Sequence, residues 1–297
     1  MEHHHGHNHS HDSEKNIGVA FFLNLSFTVV ELVGGLLTNS IAIISDAIHD
    51  FGDSLSLALA WYFQKLSKKG SNQFYTYGYK RFSLLGALIN SIVLVVGSIF
   101  ILSEAIPRIF HPQETNAKGM FILAVIGIAV NGAAALRTRR GSSINERVVS
   151  LHLLEDVLSW SAVLIGSILI YFTHLTVFDP ILSIAISLFV LYNVFRNIKS
   201  VLPILLQGTP HELKQERIID ELKQITAIEN VHDLHIWSLD EEYNVLTVHV
   251  TLEQPLPMEE LAVLKKQIRT TLEKEHIQHA TIEFETKGES CDFIDCI

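Results

Sequence analysis

The chain has 297 residues, 48% of them hydrophobic, and a mean hydropathy of +0.29. Its apolar residues are gathered in long blocks, which excludes an ordinary soluble globular protein. The formal net charge of -10 is unevenly spread: from Gly208 onward 19 acids and 8 bases give -11, while 13 acids and 14 bases come before it. Such an acidic C-terminal part disfavours nucleic acid as a partner and favours cations.

The N-terminal segment, residues 1–15, is polar and rich in histidine. It lacks the apolar residues that a core requires, so we expect it to be disordered and to collect metal ions flexibly. An expression tag is the alternative interpretation. The apolar stretch that follows is too long for the apolar region of a signal peptide, and we therefore expect no cleavable signal.

Six apolar segments follow, each close to the roughly 20 residues that cross the hydrocarbon of a bilayer. They are Ile17–Leu37, Ile41–Phe63, Phe82–Ile106, Gly119–Leu136, Leu151–Phe172 and Val177–Phe195. Lys and Arg are concentrated between segments 2 and 3, between segments 4 and 5, and after segment 6. The positive-inside rule then predicts six spans with both termini in the cytoplasm.

Segment 2 contains an unusually polar stretch, Ser45–Leu57. Its ionisable residues are Asp46, His49, Asp50 and Asp53. Placing one Asp at the centre of a membrane helix costs about 2.5–3.5 kcal/mol even on the lower scales, so these residues need a functional reason.

The spacing of this stretch predicts a metal site. His49 and Asp53 are four residues apart and therefore lie on one helix face, and His152 and Asp156 repeat the pattern in segment 5. Two helices that each offer an imidazole and a carboxylate form an N2O2 set suited to tetrahedral Zn²⁺. One such pair alone would favour a packing role, but two copies at membrane depth favour a shared metal site.

Two neighbouring acids are not assigned to this site. Asp50 either lines the cytoplasmic approach or is hydrated near the cavity, and we favour the second interpretation. Glu155 projects about 100° away from Asp156 on the helix, so we do not expect it to be a ligand.

After Pro203 and Pro210 the pattern changes to that of a small α+β domain. We predict the order α-β-β-α-β, with elements at His211–Ile225, Val231–Leu239, Val245–Leu252, Met258–Glu273 and His279–Glu285. The predicted domains are thus residues 1–15, 16–207 and 208–297. The last is small enough that pairing with a second copy would add stability.

Five stretches together resemble the cation diffusion facilitator family of metal transporters. They are SDAIHDFGDSLSLALA, YTYGYKRFSLLGALIN, LHLLEDVLSWSAVLIG, NVHDLHIWSL and HATIEFE. The resemblance implies a homodimer with six spans per protomer, a cytoplasmic metallochaperone-like (ferredoxin-like) α+β domain, and metal efflux in exchange for protons. It places the transport site at His49, Asp53, His152 and Asp156. Histidine in both motifs resembles the zinc-transporting branch.

The resemblance also implies a regulatory metal site in the cytoplasmic domain. Its ligands would be His232, His249, His279 and Glu285, with Cys291 and Cys296 as soft ligands of a neighbouring ion. Strand alternation puts His235 on the opposite face from His232, which favours a structural role for it. Some relatives also join a lysine of the YGYKR stretch to an aspartate just after span 6; here Lys80 is present, but residues 206–208 are Leu, Gln and Gly.

The sequence therefore predicts an integral protein of the bacterial inner membrane that exports Zn²⁺, and also Cd²⁺ or Co²⁺, in exchange for protons. Zn²⁺ would be both the transported ion and the regulatory one. The alternative is a membrane metal sensor or buffer that binds Zn²⁺ without moving it. A metal-dependent hydrolase is disfavoured, because four protein ligands leave no open position for a water molecule, so we expect no enzyme.

Overall fold

The computed structural model describes residues 9–289 except 68, 139–143 and 241. The side chains of residues 9–21, 23, 60, 64, 137–138 and 144–152 lie outside this description. The chain divides into two compact units. One contains residues 1–62 and 86–197, and the other contains residues 63–85 and the chain from Ile198 onward.

The first unit is built from long helices. They are α1 (His9–Thr38), α2 (Ile41–Ser67), α3 (Phe82–Phe110), α4 (Ala117–Thr138), α5 (Ile144–Thr173) and α6 (Phe178–Leu205). Within the described residues, α3, α4, α5 from Leu153 and α6 are long and apolar enough to cross a membrane. The apolar part of α1 is shorter, Asn24–Thr38, and α2 is interrupted by its ionisable residues. The chain is thus an α-helical membrane protein, and the count of six spans stays a prediction.

The start of α1 differs from the prediction for the N-terminal segment. The helix begins at His9, so residues 9–15 are helical rather than disordered, while residues 1–8 lie outside the described chain. Once the apolar part of α1 is helical, each added residue only propagates an existing helix. No Gly or Pro stands between His9 and Ile17 to stop that propagation.

The C-terminal domain, from α7 to β3, has the predicted α-β-β-α-β order. Its elements are α7 (Gln215–Lys223), β1 (Ile228–Ser238), β2 (Asn244–Leu252), α8 (Met258–Lys274) and β3 (Ile277–Thr286). Helix α7 starts later than predicted, because the chain after Pro210 first makes a turn in which Leu213 N donates to Pro210 O over 3.0 Å.

The sheet of this domain has the order β1-β2-β3, with β1 antiparallel and β3 parallel to β2. Helices α7 and α8 place apolar residues such as Leu222 and Ile268 in one core with Leu246 and Val250 of the central strand. Strand alternation leaves the other face of the sheet with histidines and acids.

Candidate metal sites

Helix α2, which carries the first His-x-x-x-Asp motif, is held at its N-terminus by a buried carboxylate. Asp179 accepts hydrogen bonds from Ser40 Oγ at 2.5 Å, Ile41 N at 2.8 Å and Ala42 N at 3.3 Å. A negative charge at a helix N-terminus satisfies free N–H groups and complements the helix dipole. This contact therefore fixes the start of α2 against the start of α6.

The predicted neighbours on α2 are in contact. His49 Nε2 lies 3.5 Å from Asp53 Oδ2, and both side chains are about one-fifth exposed. An i,i+4 pair on a helix stacks one turn apart, which brings the imidazole and the carboxylate to the same face. The two groups are thus placed to share one ion.

Helix α5 packs against α2 beside this pair. Ser159 Oγ donates a hydrogen bond to Asp46 Oδ1, which joins the two helices directly. One turn earlier on α5, Asp156 is 3% exposed. Trp160 is fully buried and forms an edge-to-face contact with Phe27 of α1, with ring centroids 5.9 Å apart.

The predicted transport ligands are only partly brought together. His49 and Asp53 touch, and Asp156 is buried on the facing helix, but the side chain of His152 lies outside the described residues. Among the described side chains, these residues do not converge to ligating distance. The assignment of all four to one site stays a prediction.

Two further buried carboxyl groups lie in the same region. Asp50 is 2% exposed, which does not match the interpretation of a hydrated side chain, and Glu31 of α1 is 1% exposed. The Glu31 carboxyl group neighbours Asp50 and the Trp160 indole, and it is within electrostatic range of Asp46 and Asp156. A Glu in an apolar helix is a signal that could have identified this residue from the sequence.

The C-terminal domain contains a compact group with the chemistry of a metal site. His232, His249 and Glu285 come from the three strands, and their ligand atoms lie within 4.8 Å of one another. Glu285 bridges the two rings: Oε1 lies 2.7 Å from His249 Nδ1, and Oε2 lies 3.1 Å from His232 Nε2. Two imidazoles and a carboxylate are Zn²⁺ ligands, and in this protein their positions are fixed by strand pairing.

A β-bulge in β1 overturns the strand-alternation argument for His235. His232 pairs with His249 and His235 pairs with Thr247, so the register shifts between them. Asp233 has φ 48 and takes up the extra residue, which puts His235 on the same face as His232. Asp233 is thereby turned to this face, with Oδ1 3.0 Å from His235 Nε2 and Oδ2 3.4 Å from His249 Nε2.

The fourth residue predicted for this site, His279, is not placed with the other three. It pairs with Val245, and its ring lies against Tyr77 with centroids 5.4 Å apart. It lies six positions before Glu285 on the same strand, which is about 20 Å at the rise of a β-strand. Glu283 is nearer, with Oε2 3.5 Å from His249 Nε2.

The remaining predicted metal ligands lie outside the described chain, and the predicted lysine link has a different partner. Cys291 and Cys296 and the histidines of residues 1–8 fall outside the described residues. Lys80 Nζ lies 4.0 Å from Asp240 Oδ2 and 4.4 Å from the centre of the Tyr243 ring. Lys80 thus pairs with the β1–β2 turn rather than with a residue just after span 6.

Comparisons with known proteins match both parts of the chain. The family model of the cation efflux transmembrane domain matches residues 17–206, and that of the cation efflux protein cytoplasmic domain matches residues 210–287. The chain is similar to the cadmium, cobalt and zinc/H(+)-K(+) antiporter of Bacillus subtilis, at 34% identity over 98% of this chain and 94% of the relative. It is also similar to the metal cation efflux system protein CzcD of Cupriavidus metallidurans, at 34% identity over 95% of this chain and 89% of the relative. The zinc transporter ZitB of Escherichia coli is 35% identical over 93% of this chain and 88% of the relative. The chain belongs to the cation diffusion facilitator family, the family of cation efflux proteins.

Proposed function

We propose that this protein exports divalent metal cations, chiefly Zn²⁺, from the cytoplasm in exchange for protons. The observation that carries the proposal is the pairing of His49 with Asp53 on α2, facing an α5 that carries His152 and the buried Asp156. The names of the relatives, which include a zinc transporter and a cadmium, cobalt and zinc antiporter, support the same function.

The ligand chemistry couples metal to protons. Zn²⁺ binds neutral imidazole and ionised carboxylate, so a protonated site must release protons before it accepts the metal. One Zn²⁺ neutralises the negative charges of the two carboxylates, and two protons bound to the same carboxylates neutralise them equally well. The loaded and the protonated site are therefore similar in net charge, and each can cross the membrane domain without stranding a charge in hydrocarbon.

The direction of transport follows from the membrane orientation that the loop charges predict. With both termini in the cytoplasm, the C-terminal domain lies where metal is to be removed. A site that opens alternately to the two sides takes Zn²⁺ from the cytoplasm and protons from outside. Because imidazole changes its protonation state near neutral pH, an acidic exterior favours release of the metal.

The C-terminal domain provides a second role for the metal. We propose that Zn²⁺ binds His232, His249 and Glu285, with Asp233 close by, as a regulatory ion in a homodimer. The chain from Gly208 onward has a net charge of -11 whereas the rest of the chain has +1, so two copies of the domain repel each other. Bound cations reduce this repulsion and draw the copies together. Unchanged compactness of the full-length dimer on Zn²⁺ addition, in small-angle scattering, would contradict this regulatory role.

The transport proposal is tested by Zn²⁺ uptake into proteoliposomes with an imposed pH gradient. Asp156→Ala removes a proposed ligand, whereas Glu155→Ala removes the adjacent exposed carboxylate on the same helix. We expect wild type and Glu155→Ala to accumulate Zn²⁺ when the lumen is acidic and Asp156→Ala to fail. Protein that binds Zn²⁺ but moves none under any gradient would instead favour a sensor or buffer.

A further inference from the structure

The loop between α2 and α3 is confined to the membrane surface by its two ends. Helix α3 begins at Phe82 and is apolar and long enough to cross a membrane, and Arg81 directly precedes it. At the other end, Trp61 and Tyr62 in the last two turns of α2 are both more than half exposed. Exposed Trp and Tyr are typical of the level of the lipid headgroups. The loop that joins these two ends therefore lies beside headgroups.

The ionisable side chains of this loop all have the same sign. It contains no Asp or Glu, and its basic residues are Lys68, Lys69, Lys80 and Arg81. Lys80 is paired with Asp240, whereas the side chain of Lys69 is exposed. A basic segment next to a membrane span is attracted to anionic lipids, which give the leaflet a negative surface potential. The charge of the loop thus complements an anionic membrane surface.

The middle of the loop is a turn whose shape is fixed by Asn72. The Asn72 N–H donates to Tyr75 O over 3.0 Å, and Asn72 Oδ1 accepts from Phe74 N at 2.9 Å and Tyr75 N at 2.7 Å. Asn72 Nδ2 donates to Tyr79 Oη at 2.7 Å, and the Tyr79 ring lies 4.6 Å from that of Tyr75. An Asn side chain that bonds to the backbone in this way holds a turn in place. A ligand of this turn would meet a preformed surface and lose little entropy in ordering it.

Lys69 is tied to the same turn through Gly78. The Gly78 N–H donates to Tyr75 O over 2.9 Å, and a Cβ on Gly78 would lie 3.2 Å from Lys69 O. The φ of 78 at this position is one that glycine adopts readily. The exposed lysine and the turn therefore belong to one compact loop.

Phe74 stands at the tip of this turn and is 88% exposed, more than any other large apolar side chain that the structure describes. Two later residues of the loop do have partners in the C-terminal domain: Tyr77 contacts His279, and Lys80 lies over the ring of Tyr243. A rigid turn that holds a phenyl ring out in water gives up the hydrophobic free energy that its burial would provide. Lipid at the level of the loop is apolar material that can cover the ring.

We propose that the turn at residues 72–75 is an anchor for anionic lipid. Phe74 enters the boundary between headgroups and acyl chains, and the Lys69 ammonium group binds the phosphate of a headgroup. Binding at a membrane interface combines burial of apolar area with attraction to anionic lipids, and this loop offers both. The anchor fixes the cytoplasmic end of α2, the helix that carries His49 and Asp53.

The proposal is tested by spin labelling of the full-length protein in symmetric vesicles. The label is attached after Gln73→Cys, beside Phe74, in a Cys291→Ser/Cys296→Ser background that has no other thiol. Relaxation by oxygen and by a water-soluble nickel complex reports whether the label lies in lipid or in water. The vesicles are phosphatidylcholine alone or a mixture with phosphatidylglycerol. Gln267→Cys, at an exposed position on α8, is the matched control.

In vesicles with phosphatidylglycerol, we expect the label beside Phe74 to be shielded from nickel and relaxed by oxygen. In phosphatidylcholine alone, and at the α8 control position in both vesicles, the label should be accessible to nickel. Phe74→Ser should return the label to water. Lys69→Gln should lower the ratio of immersed to water-exposed label about fivefold, because one basic residue contributes about that much at an anionic surface. No transported metal is needed, so the outcome is independent of the transport proposal.

Three results would overturn the proposal. The first is a nickel-accessible label beside Phe74 in anionic vesicles, and the second is equal shielding in phosphatidylcholine alone. The third is shielding accompanied by dipolar broadening between the labels of two protomers, which would show that a second copy covers Phe74. Retained Zn²⁺ binding shows that each variant is folded. If Phe74→Ser does not fold, Lys69→Gln decides, and an unchanged ratio overturns the proposal.

Discussion

Replacing Gly127 with alanine should force α4 and α5 apart, because the new methyl group has no space. A Cβ at this position would clash with Cδ2 of Trp160 and would lie 2.5 Å from Cε2 and 2.6 Å from Cγ of the same ring. Carbon atoms in good contact are about 3.5–4.0 Å apart, so the helices would have to separate by roughly 1 Å. Trp160 is fully buried and so has no free space into which its ring can move.

The expected loss in the free energy of unfolding follows from overpacking a close contact between two helices. Inserting a methyl group into a well-packed core costs about 1–3 kcal/mol, and the three clashes with one rigid ring place Gly127→Ala in that range. Gly132→Ala is the matched control on the same helix. Its Cβ would meet only Val157 Cγ2, at 3.9 Å, which is an ordinary contact, and alanine favours a helix over glycine by up to about 1 kcal/mol.

The assay is thermal unfolding of the purified full-length protein, together with Zn²⁺ uptake into proteoliposomes. We expect Gly127→Ala to unfold at a lower temperature and to transport more slowly, since Trp160 is one turn from Asp156 on α5. Gly132→Ala should unfold at the wild-type temperature or above. Equal unfolding temperatures for the two variants would refute the close packing of Trp160 on α4.

Three further predictions concern the metal group of the C-terminal domain, the N-terminus of α2 and the pair between Lys80 and Asp240. Glu285→Ala should weaken Zn²⁺ binding to the C-terminal domain by about 10- to 100-fold, because its carboxylate contacts both His232 and His249. His279→Ala should leave the Zn²⁺ affinity unchanged, because its ring lies against Tyr77. Both affinities are measured by calorimetry, and an equal loss in the two variants would place His279 in the site. Asp179→Ala should lower the free energy of unfolding by about 1–3 kcal/mol, because the first turn of α2 loses its charged hydrogen-bond acceptor. An unchanged midpoint of thermal unfolding would contradict this prediction. Lys80→Met should change the free energy of unfolding by less than about 1 kcal/mol, because its ion pair with Asp240 is partly exposed and its atoms are 4.0 Å apart. A larger loss of stability would contradict this weak contribution of the pair.

The contact between His49 and Asp53 could be predicted because it depends only on local helix geometry. Residues four apart on a helix are neighbours whatever the rest of the fold does. The approach of Glu31 to Asp50 could not be predicted in this way, because it depends on how α1 packs against α2. The pattern indicated only that each polar residue in an apolar helix needs a partner.

In the C-terminal domain, the order of elements followed from the sequence pattern, but the details of the site did not. Strict alternation failed in β1 because Asp233 adopts φ 48 and inserts a bulge, a conformation that Asp tolerates better than most residues. An aspartate in the middle of a predicted strand is the signal that could have indicated this bulge, because Asp is depleted in strands. The resemblance groups His279 with Glu285, but their separation along one strand keeps the two side chains apart.

The most direct test of proton-coupled export is to follow the internal pH of proteoliposomes while Zn²⁺ enters them. A pH-sensitive dye trapped in the lumen reports protons that leave as the metal arrives. We predict that added Zn²⁺ makes the lumen more alkaline in wild-type vesicles and has no such effect with Asp53→Ala. Zn²⁺ accumulation by the wild type with no accompanying change in internal pH would contradict the exchange of metal for protons at this site.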